Sequence, residues 1–172
     1  MNISPDGQAI VLLCSNLAVH NKGGKSKSEH LPFTLPEWNI IARKLSNSAM
    51  KSPGAFFKTS PEEWQNSLGL SKEEAERIEK LLSRGGQLAI ETERLESLGI
   101  WVVTRVDRHY PSRLKLLLKQ RAPLVLFGAG DPGIIETAGV AIVGARDVDP
   151  EGAGFTEQLA RKCAEEGFSV IS

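Results

Sequence analysis

The sequence predicts an α/β protein in two parts. A small helical domain of the SAM or helix-hairpin-helix kind spans residues 1–98, and the opening of an incomplete parallel sheet spans residues 99–172. Three observations predict this. Up to Leu98, apolar residues recur at helical spacing between repeated Ser/Thr start signals. From Gly99 the grammar changes to short β-branched runs alternating with helices. The run VAIVG (Val140 to Gly144) is apolar throughout, which predicts a strand covered on both faces, as in a parallel sheet.

The elements follow in order. Ile10, Leu13, Cys14 and Leu17 fall on one helical face. His20 to His30 contains no apolar residue and reads as a solvated loop. Thr34 and Glu37 form a capping box ahead of Trp38, Ile41, Ala42 and Leu45. Ser60-Pro61-Glu62-Glu63 and Ser71-Lys72-Glu73-Glu74 repeat the signal, the second opening a stripe of Ala75, Ile78, Leu81 and Leu82. Gly85-Gly86 breaks that helix, and the next stops at Gly99. Gly99 to Val106 reads as a strand, Ser112 to Gln120 as a basic amphipathic helix, and PLVLFGAG as a second strand. VAIVG is the third. Asp149 then caps a helix with Pro150 at its first position and a buried stripe of Phe155, Leu159 and Cys163. That helix stops at Gly167 before another buried strand, FSVIS. One βαβ unit is less than a doubly wound domain needs, so the chain is expected to be the front part of a longer protein, with an exposed sheet edge that promotes self-association.

The formal net charge is zero over 172 residues, but it is unevenly placed. Arg113 to Arg121 carries four basic residues and no acid, while Asp131 to Ser172 is acidic, which permits one basic face. Cys14 and Cys163 stand far apart without a Cys/His cluster, which predicts reduced thiols, no structural zinc and a cytoplasmic protein. The apolar run Ala9 to Val19 is too short to span a bilayer and has the wrong flanks for a signal peptide.

Two stretches invite comparison with phosphate loops. The GGKS of Gly23 to Ser26 lacks the P-loop's first glycine, since Val19 stands there, and it follows helical spacing instead of a strand. A flexible polar loop fits better. In GVAIVGARDVDPEGAGF (Gly139 to Phe155) a strand, a turn and a helix start have the right order. Ala145 and Arg146 replace the glycine pattern of a dinucleotide site, and the guanidinium suits the grip of one phosphate. Gly144, Ala145, Arg146 and Gly152 are the candidate binding residues, with the helix N-terminus contributing free N–H groups. Asp147, Asp149 and Glu151 oppose an anion unless they point away. A plain helix-packing turn is the alternative. In the helical part, Ser67 to Ile78 is similar to half of a helix-hairpin-helix, with Gly69 and the Ser71 cap in place; ordinary bundle packing is again the alternative.

The segment VAIVGARDVDPEGAGFTEQLARKCAEEGFSVIS resembles the start of the Rossmann-like domain of the DNA-processing protein A family. Upstream, GIWVVTRVDRHYPSRLKLLLKQRAPLVLFGAGD is similar to that family's lead-in, a "YP..L" element followed by "P..L...G". VLLCSNL and PFTLPEWNIIARKL resemble the N-terminal region of some members. The resemblance implies a non-catalytic protein of natural transformation that binds single-stranded DNA, protects it and helps load the recombinase RecA. It implies a homodimer in the full-length protein, no cofactor and no membrane. Arg146 takes the role of the arginine in the family's Gly-Ser-Arg turn, and Ser172 falls where a second Ser-Gly motif begins. Ala145 departs from the usual serine, and Glu151 stands where an aromatic is common. Two further classes stay open: a related hydrolase of nucleoside monophosphates, whose "PGG.GT..E" motif does not occur here, and a non-catalytic interaction fragment.

Overall fold

The computed structural model describes residues 3–17 and 31–172. The GGKS stretch lies outside the described residues. The chain is mixed α/β and divides into two compact units, Met1–Gly130 and Asp131–Ser172. The change of pattern at Gly99 is therefore a change of secondary structure, whereas the break in packing comes at Gly130.

In the first unit, α1 (Pro5–Cys14) is central. It buries Ala9, Ile10, Val11, Leu12 and Leu13, so both its faces are covered, more than the single predicted stripe. Ile10 and Leu13 join Trp38, Ile41, Leu45 and Ile78 in one cluster, while Val11 and Leu12 join Ile3, Leu88 and Val102 in another. A helix apolar all round has to be enclosed, which is why the others gather on it. These are α2 (Leu35–Asn47), α3 (Pro61–Leu68), α4 (Lys72–Leu82) and α5 (Gly85–Ser97). The three expected capping boxes, Thr34/Glu37, Ser60/Glu63 and Ser71/Glu74, are all formed. Gly69 and Gly99 take φ of 57° and 68° after α3 and α5, a left-handed turn that costs glycine nothing.

Side chains then pin elements far apart in sequence. Arg77 of α4 donates to the carbonyls of Leu31 and Pro32 at 2.8 and 2.9 Å and to Glu37 Oε1 at 2.9 Å, with its guanidinium 3.9 Å from the centre of the Phe33 ring. It thereby sets the chain's entry into α2. Arg84 donates to the Leu12 and Leu81 carbonyls, closing the C-terminal ends of α1 and α4. Asp107 accepts from Ser4 Oγ at 2.6 Å, from Thr104 N–H at 2.8 Å and from Thr104 Oγ1 at 2.6 Å. Its carboxylate lies over Gly7, where a Cβ would come within 3.0 Å of it.

That bond holds β1 (Ile100–Thr104), which pairs antiparallel with β2 (Val125–Ala129), Thr104 opposite Val125. Between them run α6 (Ser112–Leu118) and a 3₁₀ turn, Lys119–Arg121. The helix stops two residues before the predicted Gln120 because Lys119 takes φ of 50°. Leu114 and Leu118 pack on Val103, Tyr110 and Ala122, and Tyr110 Oη donates to the Pro123 carbonyl at 2.8 Å.

The second unit contains β3 (Gly139–Ala141), α7 (Pro150–Glu165) and β4 (Ser169–Ile171). β3 and β4 are parallel, Val140 opposite Val170, and α7 is their crossover. Parallel pairing is thus confined to this unit; the antiparallel β1–β2 pair belongs with the helices. Three expectations are corrected here. The VAIVG strand is not covered on both faces: it ends at Ala141, and Val143 is 91% exposed. The stripe of α7 is not buried either, with Phe155 67% and Leu159 38% exposed and Cys163 intermediate, and neither is the FSVIS strand, where Phe168 and Ile171 are exposed. Two strands and one helix offer too little surface to enclose these side chains, and no residue of this unit is fully buried.

Three predictions follow from this packing. The Arg77 and Thr34 hydrogen bonds hold the Glu37 carboxyl down from 4.5 to about 2. A carboxylate lowered on folding contributes stability that is complete above pH 4.5 and lost as pH falls through about 2. Unfolding followed across that window should be less pH-dependent in Glu37→Gln than in wild type; identical slopes would remove the pair from the account. Asp107→Ala leaves the buried Thr104 N–H and hydroxyl unpaired and should lower stability to urea by about 2–4 kcal/mol, with Asp107→Asn losing less because its oxygen still accepts. Light scattering should give a mass above 18.7 kDa, reduced by Phe155→Glu together with Ile171→Glu, because exposed apolar surface drives association.

Candidate functional site

The β3–α7 turn is built around the cap of α7. Asp149 is the N-cap, with φ −69° and ψ 165°, and its Oδ1 accepts the Gly152 N–H at 2.7 Å. Pro150 has no N–H to satisfy, and Ala153 N–H is bonded to the Asp149 carbonyl at 2.9 Å. The chain's own carboxylate therefore takes one of the first amides of the helix. This corrects the expectation of a free N-terminus: the amide at Gly152 is used, and the positive end of the helix faces Asp149. A Cβ at Gly152 would stand 2.8 Å from Val148 Cγ2 and 3.1 Å from Asp149 Oδ1, so a larger residue there would displace these side chains. Its close neighbours are the turn's own side chains.

Arg146 is exposed and, among the described residues, has neither a hydrogen-bond nor an ion-pair partner. Asp147 and Glu151 are exposed as well, and Asp149 is engaged by the cap. Gly144 has open space where its Cβ would be. Gly144, Ala145 and Ser172 line one groove of about 500 Å³ with Ile142, Val143 and Val170 on the strand side and Ala153, Thr156, Glu157 and Ala160 from α7. The fold thus brings Gly144, Ala145 and Ser172 together. Arg146 and Gly152 are not in that lining.

Glu157 is the residue that sequence reasoning missed. It bonds Arg161 Nη2 at 3.4 Å, yet it places a carboxylate on the groove wall. The signal was available, because Ala153, Thr156, Glu157 and Ala160 recur at helical spacing. Thr156 Oγ1 donates to the Gly152 carbonyl at 2.8 Å. The chemistry on offer is that of a contact: a free planar guanidinium that can make paired bonds to one phosphate, beside a mostly apolar groove.

The helix-hairpin-helix candidate is closed in the same way. Ser71 Oγ accepts Glu74 N–H at 3.1 Å, Glu74 accepts Ser71 N–H at 2.8 Å, and the Gly69 carbonyl accepts from Lys44 Nζ at 2.9 Å. These turn amides serve the capping box, and Glu73 and Glu74 oppose an anion there. Burial pushes the Cys14 thiol up, so it stays protonated and unreactive. Among the described residues, no helix is long and apolar enough to cross a membrane, and no group of three or more His, Cys, Asp or Glu is placed to hold a metal.

No curated protein and no solved structure matches the chain. Residues 101–172 match the family model of DNA recombination-mediator protein A, a span that includes the Arg146 turn and the groove beside it. The match supports assigning residues 101–172 to that family's type.

Proposed function

We propose that this chain acts in DNA recombination as a cytoplasmic, non-catalytic single-stranded DNA-binding protein of natural transformation. In this reading it protects incoming DNA and helps load RecA, and it works as a homodimer in the full-length protein. The observation that carries the reading is Arg146, exposed and unpartnered in a turn within the family-matched segment. A guanidinium aimed at solvent grips phosphate without reading bases, which suits a protein that must accept any sequence. The capped start of α7 leaves the arginine as the main anion contact of the turn, so affinity is modest and falls with salt.

The test is a titration of fluorescent single-stranded oligonucleotides over a range of salt. Arg146→Ala should weaken binding alike for different sequences and reduce the slope of log K against log salt by about 0.7, the value of one phosphate contact on a single strand. Unchanged affinity and slope would remove Arg146 from the interface. Turnover of AMP by the wild-type protein would replace this reading with that of a nucleotide hydrolase.

A further inference from the structure

The basic segment after β1 has no part in the site described above, and the fold joins it to a distant helix. Asn39 of α2 donates from Nδ2 to the Gln120 carbonyl at 3.0 Å, and Arg105 Nη2 donates to Asn39 Oδ1 at 2.8 Å. The 3₁₀ turn Lys119–Arg121 is thereby fastened against α2. Arg43 stands one helical turn from Asn39, about 6 Å along the axis. Arg43, Arg108, Lys119 and Arg121 are all exposed, and none has a carboxylate partner among the described residues.

Two acids of the same unit, Asp107 and Glu37, are committed elsewhere. Asp107 is held by Ser4 and Thr104, and Glu37 by Arg77 and Thr34. What remains is a face of uncompensated positive charge. Beside it Leu116 and Leu117 are 74% and 68% exposed, because α6 turns Leu114 and Leu118 inward.

We infer that this face, formed by Arg43, Lys119, Arg121 and the outer side of α6, is a second contact surface for single-stranded DNA. It rests on the proposed DNA-binding function and gives the helical unit a DNA contact of its own. Charge complementarity selects the occupant, since a phosphate chain offers a negative charge at every nucleotide. The exposed leucines favour a single strand, whose unstacked bases gain by covering apolar surface that a duplex leaves untouched.

The test compares Arg43→Gln/Arg121→Gln with wild type, Arg146→Ala and the triple variant, each as the full chain. Lys119 is left intact because its positive φ would mix a backbone effect into the result. The double variant should bind single strands several-fold more weakly and reduce the salt slope by about 1.4, the value of two contacts. Its loss should add to that of Arg146→Ala, and thermal melting should be unchanged. A remote Lys58→Gln/Lys80→Gln control should keep the wild-type slope. If the double variant binds like wild type while Arg146→Ala is impaired, the second surface is wrong and the proposed function stands. If the double variant is impaired and Arg146→Ala is not, the surface stands and the turn is not the site. Equal loss of duplex and single-strand binding, or full displacement of DNA by polyglutamate at matched charge, would show a general anion surface and overturn the inference. No DNA binding by wild type would overturn both.

Discussion

Asp149 accepts the Gly152 N–H at 2.7 Å, and that bond decides what the turn before α7 can do. A helix start in a β–α turn is a ready anion site because its first amides are free and its dipole is positive outward. Here a carboxylate of the chain fills that position. The cap fixes the start of α7 and brings the Asp149 and Val148 side chains close to Gly152. Attraction for an external phosphate then falls to a side chain. Arg146, unpartnered and exposed, is the group free to supply it.

The same economy runs through the first unit. Polar groups that could have met a ligand are spent on joining elements. The amides at the start of α4 go to the Ser71/Glu74 box, Arg77 and Arg84 tie carbonyls of the chain, and Asp107 anchors β1 to the start of α1. These bonds surround a helix whose stretch from Ala9 to Leu13 is buried on every side, so they act where an unpaired group would be most costly. Arg43 and Arg121 on the α2–α6 face and Arg146 at the β3–α7 turn stand outside this network without a carboxylate partner among the described residues.

Much of this was legible in the sequence, and the physical reasons are specific. Thr34/Glu37, Ser60/Glu63 and Ser71/Glu74 announced their helices because a capping box is a local bond between residues three apart. The antiparallel pairing of β1 with β2 was not legible, since it depends on which strands meet and not on what either one is. Nor was the enclosure of α1. Its residues marked one face at helical spacing, but Val11 and Leu12 became core only because α5 and β1 pack on the other side. The apolar stripe of Phe155 and Leu159 was read correctly as a stripe and wrongly as buried, because periodicity shows which face is apolar and not whether anything covers it. For the site, the strand–turn–helix order was plain, whereas the use of Asp149 against its own helix emerged only from the bond it makes.

The central claim is that the guanidinium of Arg146, and not the start of α7, holds the phosphate. Asp149→Asn keeps a capping side chain while removing its charge, which makes the helix start as attractive to an anion as the fold allows. The decisive measurement is the single-stranded DNA affinity of Asp149→Asn with and without Arg146→Ala. The account predicts that loss of the arginine weakens binding as much in this background as in the native one. Recovery of native affinity by the double variant would show that the helix terminus suffices, and would contradict it.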